Sequence, residues 1–256
     1  LQKELKLRYF LEFAYNGTHY HGWQYQPNAA SVQETLNKVF STLLQEEIDI
    51  VGAGRTDAGV HASLMYGHFD SEKVTDFEKL LYKANSFLPK DIAVFRILPV
   101  HEDAHARFDA TSRTYHYFIS TKKDIFNNDL SWYYHHDLDI EAMNEAAKLL
   151  LTFTDFECFS KTNTDVFTYN CKIKEAYWKK ENNTLIFTIT ADRFLRNMVR
   201  AIVGTLINIG LHKITTDDFI AIIESKSRKK AGFSVPAQGL FLTRITYPYI
   251  NENESI

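Results

Sequence analysis

Residues 8–15 are dense in aromatic and apolar side chains (Tyr9, Phe10, Leu11, Phe13, Tyr15), which suits a pleated, buried surface and predicts a strand. The spacing then changes. Val32, Leu36, Val39, Phe40 and Leu43 mark one face of a helix over residues 31–44, and Ser31 with Glu34 forms a capping box at its start. Residues 48–53 and 64–69 are apolar runs of strand length, and residues 77–88 return to helical spacing until Pro89 stops them. A further strand is predicted over 92–98.

The second half alternates in the same way. Strand is predicted over 114–120 and helix over 140–151. Residues 167–179 and 184–191 read as a hairpin around Glu181-Asn182-Asn183. A mostly apolar helix over 194–209, a shorter helix over 216–224 and a last strand over 240–247 complete the pattern. Interspersed strands and helices in two comparable halves predict an α+β chain of two domains packed together. The stretch 99–108, with Pro99, His101 and His105 among charged residues, is the expected boundary, giving domains of residues 1–104 and 105–256. No internal sequence repeat relates the halves. The polar residues 251–256 are expected to fray.

With 256 residues, the chain can bury a sizeable core in one large or two ordinary domains. No apolar stretch reaches membrane-spanning length; the longest candidate, 201–211, is too short. Residues 1–4 lack the apolar core of a secretory signal, and two cysteines outside any CxxC pair, Cys158 and Cys171, are expected to be reduced thiols of a cytoplasmic protein. The formal net charge is −3, yet its distribution is uneven. Residues 171–244 hold 13 Lys and Arg against 6 Asp and Glu, whereas residues 101–170 hold 6 against 12. Such asymmetry is the form of a one-sided electrostatic footprint for a polyanion, although charge runs also occur as plain solvated surface. Ser225 to Lys230 is the densest basic patch, with Lys229 and Lys230 as candidate phosphate contacts.

Candidate chemistry concentrates at residues 52–61, Gly-Ala-Gly-Arg-Thr-Asp-Ala-Gly-Val-His. Three glycines relax this backbone, and Asp57 is its only carboxylate, with Arg55 two residues before it. Asp57 suits a nucleophile or general base, and equally an Asx-turn acceptor or helix cap. Arg55 can pair with that carboxylate or hold a phosphate beside it. The position of a third dinucleotide-motif glycine is Asp57, and no Gly-Lys-Ser/Thr follows, so neither nucleotide-binding motif applies. Ten histidines, including His19, His21 and the adjacent His135 and His136, show no zinc spacing, and no metal is assigned.

The string Gly-Arg-Thr-Asp-Ala-Gly-Val-His resembles the signature of the TruA family of tRNA pseudouridine synthases. The likeness continues in order through Tyr15-Asn16-Gly17-Thr18, Gly22-Trp23-Gln24 and Ser31-Val32-Gln33-Glu34. Downstream it takes in Asn85-x-x-Leu88-Pro89-x-Asp91-Ile92, His105-Ala106-Arg107-Phe108 and Arg113-x-Tyr115-x-Tyr117. Phe194-Leu195-x-x-Met198-Val199-Arg200 with Val203-Gly204, then Gly239-Leu240-x-Leu242, complete it. Together these span about residues 8–247. Asn16 stands where Asp is frequent, and Tyr25 where a basic residue often follows, so RNA range is less defined than reaction type.

The resemblance implies two similar domains with mixed or antiparallel sheets flanked by helices, a cleft between them, and a homodimer. It implies isomerisation of uridine to pseudouridine at positions 38, 39 and 40 of the tRNA anticodon arm, a reaction needing no cofactor. It carries the catalytic role onto Asp57, the active-site tyrosine onto Tyr115, the basic partner of the Asp onto Arg200 and a uracil-pocket position onto Leu240. Arg55 is expected to face RNA, and Arg107 and Arg113 to touch phosphate or brace the loop. Without the resemblance, Tyr115 is an ordinary strand tyrosine and Leu240 a strand leucine. The alternatives are a synthase acting on other tRNA positions or RNAs, a non-catalytic RNA-binding module, and a nucleoside hydrolase. The last would need a second acid, for which Asp70 is the nearest candidate.

Overall fold

A computed structural model describes residues 7–162 and 166–250; the expectations for residues 1–4 and 251–256 lie outside them. The chain divides into two compact units, Leu1–Thr111 with Leu242–Ile256, and Ser112–Phe241. This division falls seven residues later than the one expected from composition, and it returns the chain from Leu242 onward to the first unit.

The first unit opens with β1 (Leu7–Tyr15), followed by α1 (Val32–Leu44), β2 (Val51–Gly52), β3 (His61–Ser71), α2 (Phe77–Phe87) and β4 (Ile92–Val100). Antiparallel β3 and β4 flank β1, and β2 adds to β3. Because β1 has a strand on each side and is buried on both faces from Tyr9 to Phe13, its sequence is dense rather than alternating. Phe10, Leu11 and Phe13 each contribute about 1.5–3 kcal/mol by full burial. Ser31 caps α1 by accepting from the Glu34 amide at 3.3 Å, and Phe40 of α1 meets Phe69 of β3 at 5.4 Å between ring centroids. The buried Glu12 carboxylate is satisfied by Tyr66 Oη at 2.6 Å and Arg96 Nε at 2.9 Å.

Residues 48–53 form less strand than their apolar character predicts. The Ile48 and Ile50 amides donate to Ser41 Oγ and Asn37 Oδ1 of α1, both at 2.9 Å, so only Val51 and Gly52 join the ladder. Side-chain acceptors on a helix have replaced a strand partner.

The second unit contains β5 (Ser112–Ser120), β6 (Trp132–Tyr133), α3 (Ile140–Leu149), β7 (Ile173–Glu181), β8 (Thr184–Ala191), α4 (Met198–Gly210) and α5 (Thr216–Glu224). Its strands run β5-β8-β7, all antiparallel, with the short β6 parallel to β5. The β7–β8 turn uses Asn182 at φ +52°, a conformation asparagine tolerates well. The first strand of this hairpin starts at Ile173, not at residue 167. The apolar helix begins at Met198, not at residue 194, because Asn197 adopts φ +65° and breaks helical continuity. A Thr215–Asp218 capping box starts α5. The last strand, β9 (Leu240–Thr246), lies beside β3 of the first unit. The α+β class, with mixed strand pairing and flanking helices, is as expected.

Cys158 and Cys171 are free and buried, and burial pushes both thiols up to about 12. Among the described residues no helix is long and apolar enough to cross a membrane.

Candidate active site

Asp57 lies between β2 and β3, on the loop that residues 53–60 form, and is half-buried beside the exposed Arg55 and Ala58. Two of the three glycines in residues 52–61 answer to the fold. A Cβ on Gly52 would stand 2.4 Å from Cε2 of Trp23, and Gly59 takes φ +76° while its amide donates to the Tyr20 carbonyl at 3.2 Å. The Val60 amide turns back to the Asp57 carbonyl at 3.2 Å, closing the backbone just after the carboxylate.

The residue before Asp57 is fixed just as firmly. Thr56 Oγ1 accepts from the Trp23 amide and lies against Tyr15 Oη, both at 3.0 Å. At the far end of the loop, Nδ1 of the buried His61 accepts the Gly17 amide at 3.0 Å, which leaves the imidazole proton on Nε2. The loop is therefore anchored at Ala53 (amide to Tyr66 carbonyl, 2.8 Å), Thr56, Gly59 and His61.

Of the partners in these bonds, Tyr15, Gly17 and Trp23 belong to the other sequence blocks. Gln33 accepts from the Tyr25 amide at 2.9 Å and donates to the Ile50 carbonyl at 3.0 Å, tying the opening segment to the start of β2. Asp91 accepts from Tyr20 Oη at 2.8 Å through its side chain, and from the Asn16 amide at 2.8 Å through its carbonyl. Asn85 bonds both backbone groups of Val94 at 2.8 Å. Asn16 itself accepts from the Thr18 amide at 3.0 Å, a capping bond that an Asp would make equally well.

Arg107 and Phe108 are exposed on a turn that His105 organises by accepting both of their amides, at 3.1 and 3.4 Å. Beneath it the buried His68 accepts the Ala106 amide at 3.2 Å. His68 is pushed down to about 4, chiefly by burial and then by His105 and Arg8, and His105 is also lowered by burial.

In the second unit, Tyr115 on β5 is half-buried with its ring edge-on to Phe194 at 5.1 Å, and Tyr117 two residues on is fully buried. Arg113 donates to the Asp192 carbonyl at 2.8 Å, a bracing contact at the end of β8. Arg200 on α4 donates Nε to the Val235 carbonyl at 2.7 Å, and Tyr117 Oη donates to the next carbonyl, Pro236, at 2.9 Å. These two bonds hold the segment that leads through the turn Ala237–Gly239 into Leu240, which is buried. Of the basic run, Lys226 pairs with Asp155 at 2.6 Å, and Arg228 forks onto the Gly232 carbonyl and Ser234 Oγ. Lys229 and Lys230 are exposed.

Sequence reasoning singles out Asp57, Arg55, Tyr115 and Arg200 but gives no task to Thr56, Tyr15, Trp23, His61 or Tyr117. All five lie within the motif blocks, yet linear spacing does not say which side chain meets which amide.

Comparison with known proteins accounts for this concentration of structure around one loop. A family described as tRNA pseudouridine synthase matches residues 13–109 and 146–248. The chain is 54% identical over 242 residues to tRNA pseudouridine synthase A of Parabacteroides distasonis, covering 94% of this chain and 96% of that protein. It is 54% identical over 243 residues to the protein of the same name from Bacteroides fragilis, again covering 94% and 96%. The corresponding Thermoanaerobacter protein is 41% identical over 240 residues, covering 91% and 96%. With its signature loop, its ordered blocks and these relatives in agreement, the chain belongs to the TruA family of tRNA pseudouridine synthases, isomerases that convert uridine to pseudouridine in tRNA.

Proposed function

We propose that this protein converts uridine to pseudouridine at positions 38, 39 and 40 of the tRNA anticodon arm, with Asp57 as its nucleophile. The observation that carries this is the signature loop, which holds a half-buried carboxylate between anchors at Thr56 and Gly59. In the reaction the C1′–N1 bond breaks, the uracil turns, and a C1′–C5 bond forms. C5 loses a proton and N1 gains one, so no atom is added or removed. A carboxylate fixed beside the anomeric carbon and the base is what such a step requires.

The target uridine leaves its stack to react, at a cost of a few kcal/mol. Stacking on Tyr115 returns roughly 1–3 kcal/mol of that, and its hydroxyl carries a proton near the base. Arg200 is the basic partner of Asp57, and its Nε bond to Val235 fixes the direction of the guanidinium. Leu240 lines the uracil pocket. Arg55 faces the RNA where the uridine left, Lys229 and Lys230 meet phosphates, and Arg107 and Arg113 touch phosphate or brace the loop. The enzyme works as a homodimer in the cytoplasm, where two subunits combine their basic surfaces on one tRNA.

Pseudouridine mapping of an unmodified tRNA, treated with wild type and with Asp57→Ala, tests this. Modification at 38 to 40 by wild type alone is expected. Tight binding without modification would favour a binding module, and modification elsewhere would keep the chemistry and discard the substrate positions.

A further inference from the structure

We infer that Gly54 is the point at which the sugar–phosphate backbone of the bound RNA closes onto the signature loop. The inference rests on the tRNA substrate proposed above. Residues 52–61 contain three glycines, and the fold accounts for two of them. Gly52 lies under the Trp23 ring and Gly59 adopts a left-handed conformation. Gly54 does neither. Its φ lies outside the left-handed region, and a Cβ built on it meets no atom within 4 Å beyond the glycine and its two chain neighbours.

A glycine in an ordinary conformation, with room for a side chain, weakens folding, because it gives the unfolded chain more freedom to lose. Nor is Gly54 placed as a hinge. Ala53 before it and Thr56 after it are both held by hydrogen bonds to neighbouring segments. What remains is a use outside the folded chain, namely close approach of a ligand to bare backbone.

The identity of that ligand follows from its neighbours. Gly54 is three residues from Asp57 and adjacent to the exposed cation Arg55. A carboxylate that works at the anomeric carbon has the ribose and its flanking phosphates within one nucleotide's length. The open space in front of Gly54, next in sequence to an exposed arginine, suits that ribose-phosphate segment rather than the base, which turns at Asp57.

Gly54→Ala and Gly54→Val test this by adding one and three carbons to the empty space. Both variants are expected to melt at or above the wild-type temperature. Their affinity for unmodified tRNA, measured by direct binding, should fall with side-chain size, about tenfold for alanine and a hundredfold for valine. KM should rise with it. Wild-type binding and turnover in Gly54→Val overturn the inference. Equal losses in both variants, or losses that track a lowered melting temperature, overturn it too, because they would mean that the backbone itself needs glycine. A wild type that leaves tRNA unmodified defeats the proposed function and this inference together, whereas an active wild type beside an equally active Gly54→Val defeats this inference alone.

Discussion

Replacing Thr56 with valine removes one hydroxyl at nearly constant volume, and the consequences can be worked from its two partners. The Trp23 amide loses its acceptor in a residue only 2% exposed, and Tyr15 Oη loses its contact at 3.0 Å. A stranded buried amide costs about 1–3 kcal/mol and a lost neutral hydrogen bond about 1 kcal/mol, so Thr56→Val should destabilise the fold by about 2–4 kcal/mol. In a chain of this size that lowers the melting temperature by roughly 5–15 °C. The effect on turnover is separate. Thr56 fixes the backbone one residue before Asp57, and a displacement of about 1 Å at a reacting group costs up to about 100-fold in rate. Single-turnover pseudouridine formation at a temperature where the variant stays folded should show kcat reduced roughly 10- to 100-fold with KM nearly unchanged. Thr56→Ser, which keeps the hydroxyl, should restore most of both. Wild-type melting and turnover in Thr56→Val, or serine as damaging as valine, would refute the anchoring role.

Three further outcomes are expected. Arg96→Met strips the buried Glu12 carboxylate of its cation and should cost about 3–5 kcal/mol in denaturant unfolding, while the Glu12→Gln/Arg96→Met double variant recovers part of that. His68 is pushed down to about 4 in the fold, so between its ordinary value near 6.5 and about 4 the unfolded chain binds a proton that the folded chain refuses. Stability should therefore fall as pH drops through that window, by up to about 3 kcal/mol from this residue, and His68→Gln, which can still accept from the Ala106 amide, should flatten the loss. Alanine at both Lys229 and Lys230 should weaken tRNA binding and flatten its log–log salt dependence by about one unit per lysine; an unchanged slope would remove them from the RNA interface.

How far the sequence can be read follows from where each signal resides. The helix α5 and the start of α1 are legible because their caps are local: Thr215 with Asp218, and Ser31 with the Glu34 amide, lie within one turn. The extent of β2 is not, because the groups that take the Ile48 and Ile50 amides away from a ladder sit on α1, at Ser41 and Asn37. The start of α4 escapes for a different reason. Asn197 looks acceptable inside an apolar helix until its positive φ is known. Asp57 is visible as the single carboxylate of a glycine-rich string, but its surroundings are not, since Tyr15, Gly17, Tyr20 and Trp23 reach the loop from 33 to 44 residues upstream in sequence. Asp91 adds a second layer by holding Tyr20 and Asn16. Sequence blocks that look independent along the chain are thus partners in one hydrogen-bonded assembly whose centre is the loop bearing Asp57. A change in Asp91 or Gln33, far from the carboxylate in sequence, should then act on the geometry of Asp57 through Tyr20 or Ile50, and so lower turnover without contact with RNA.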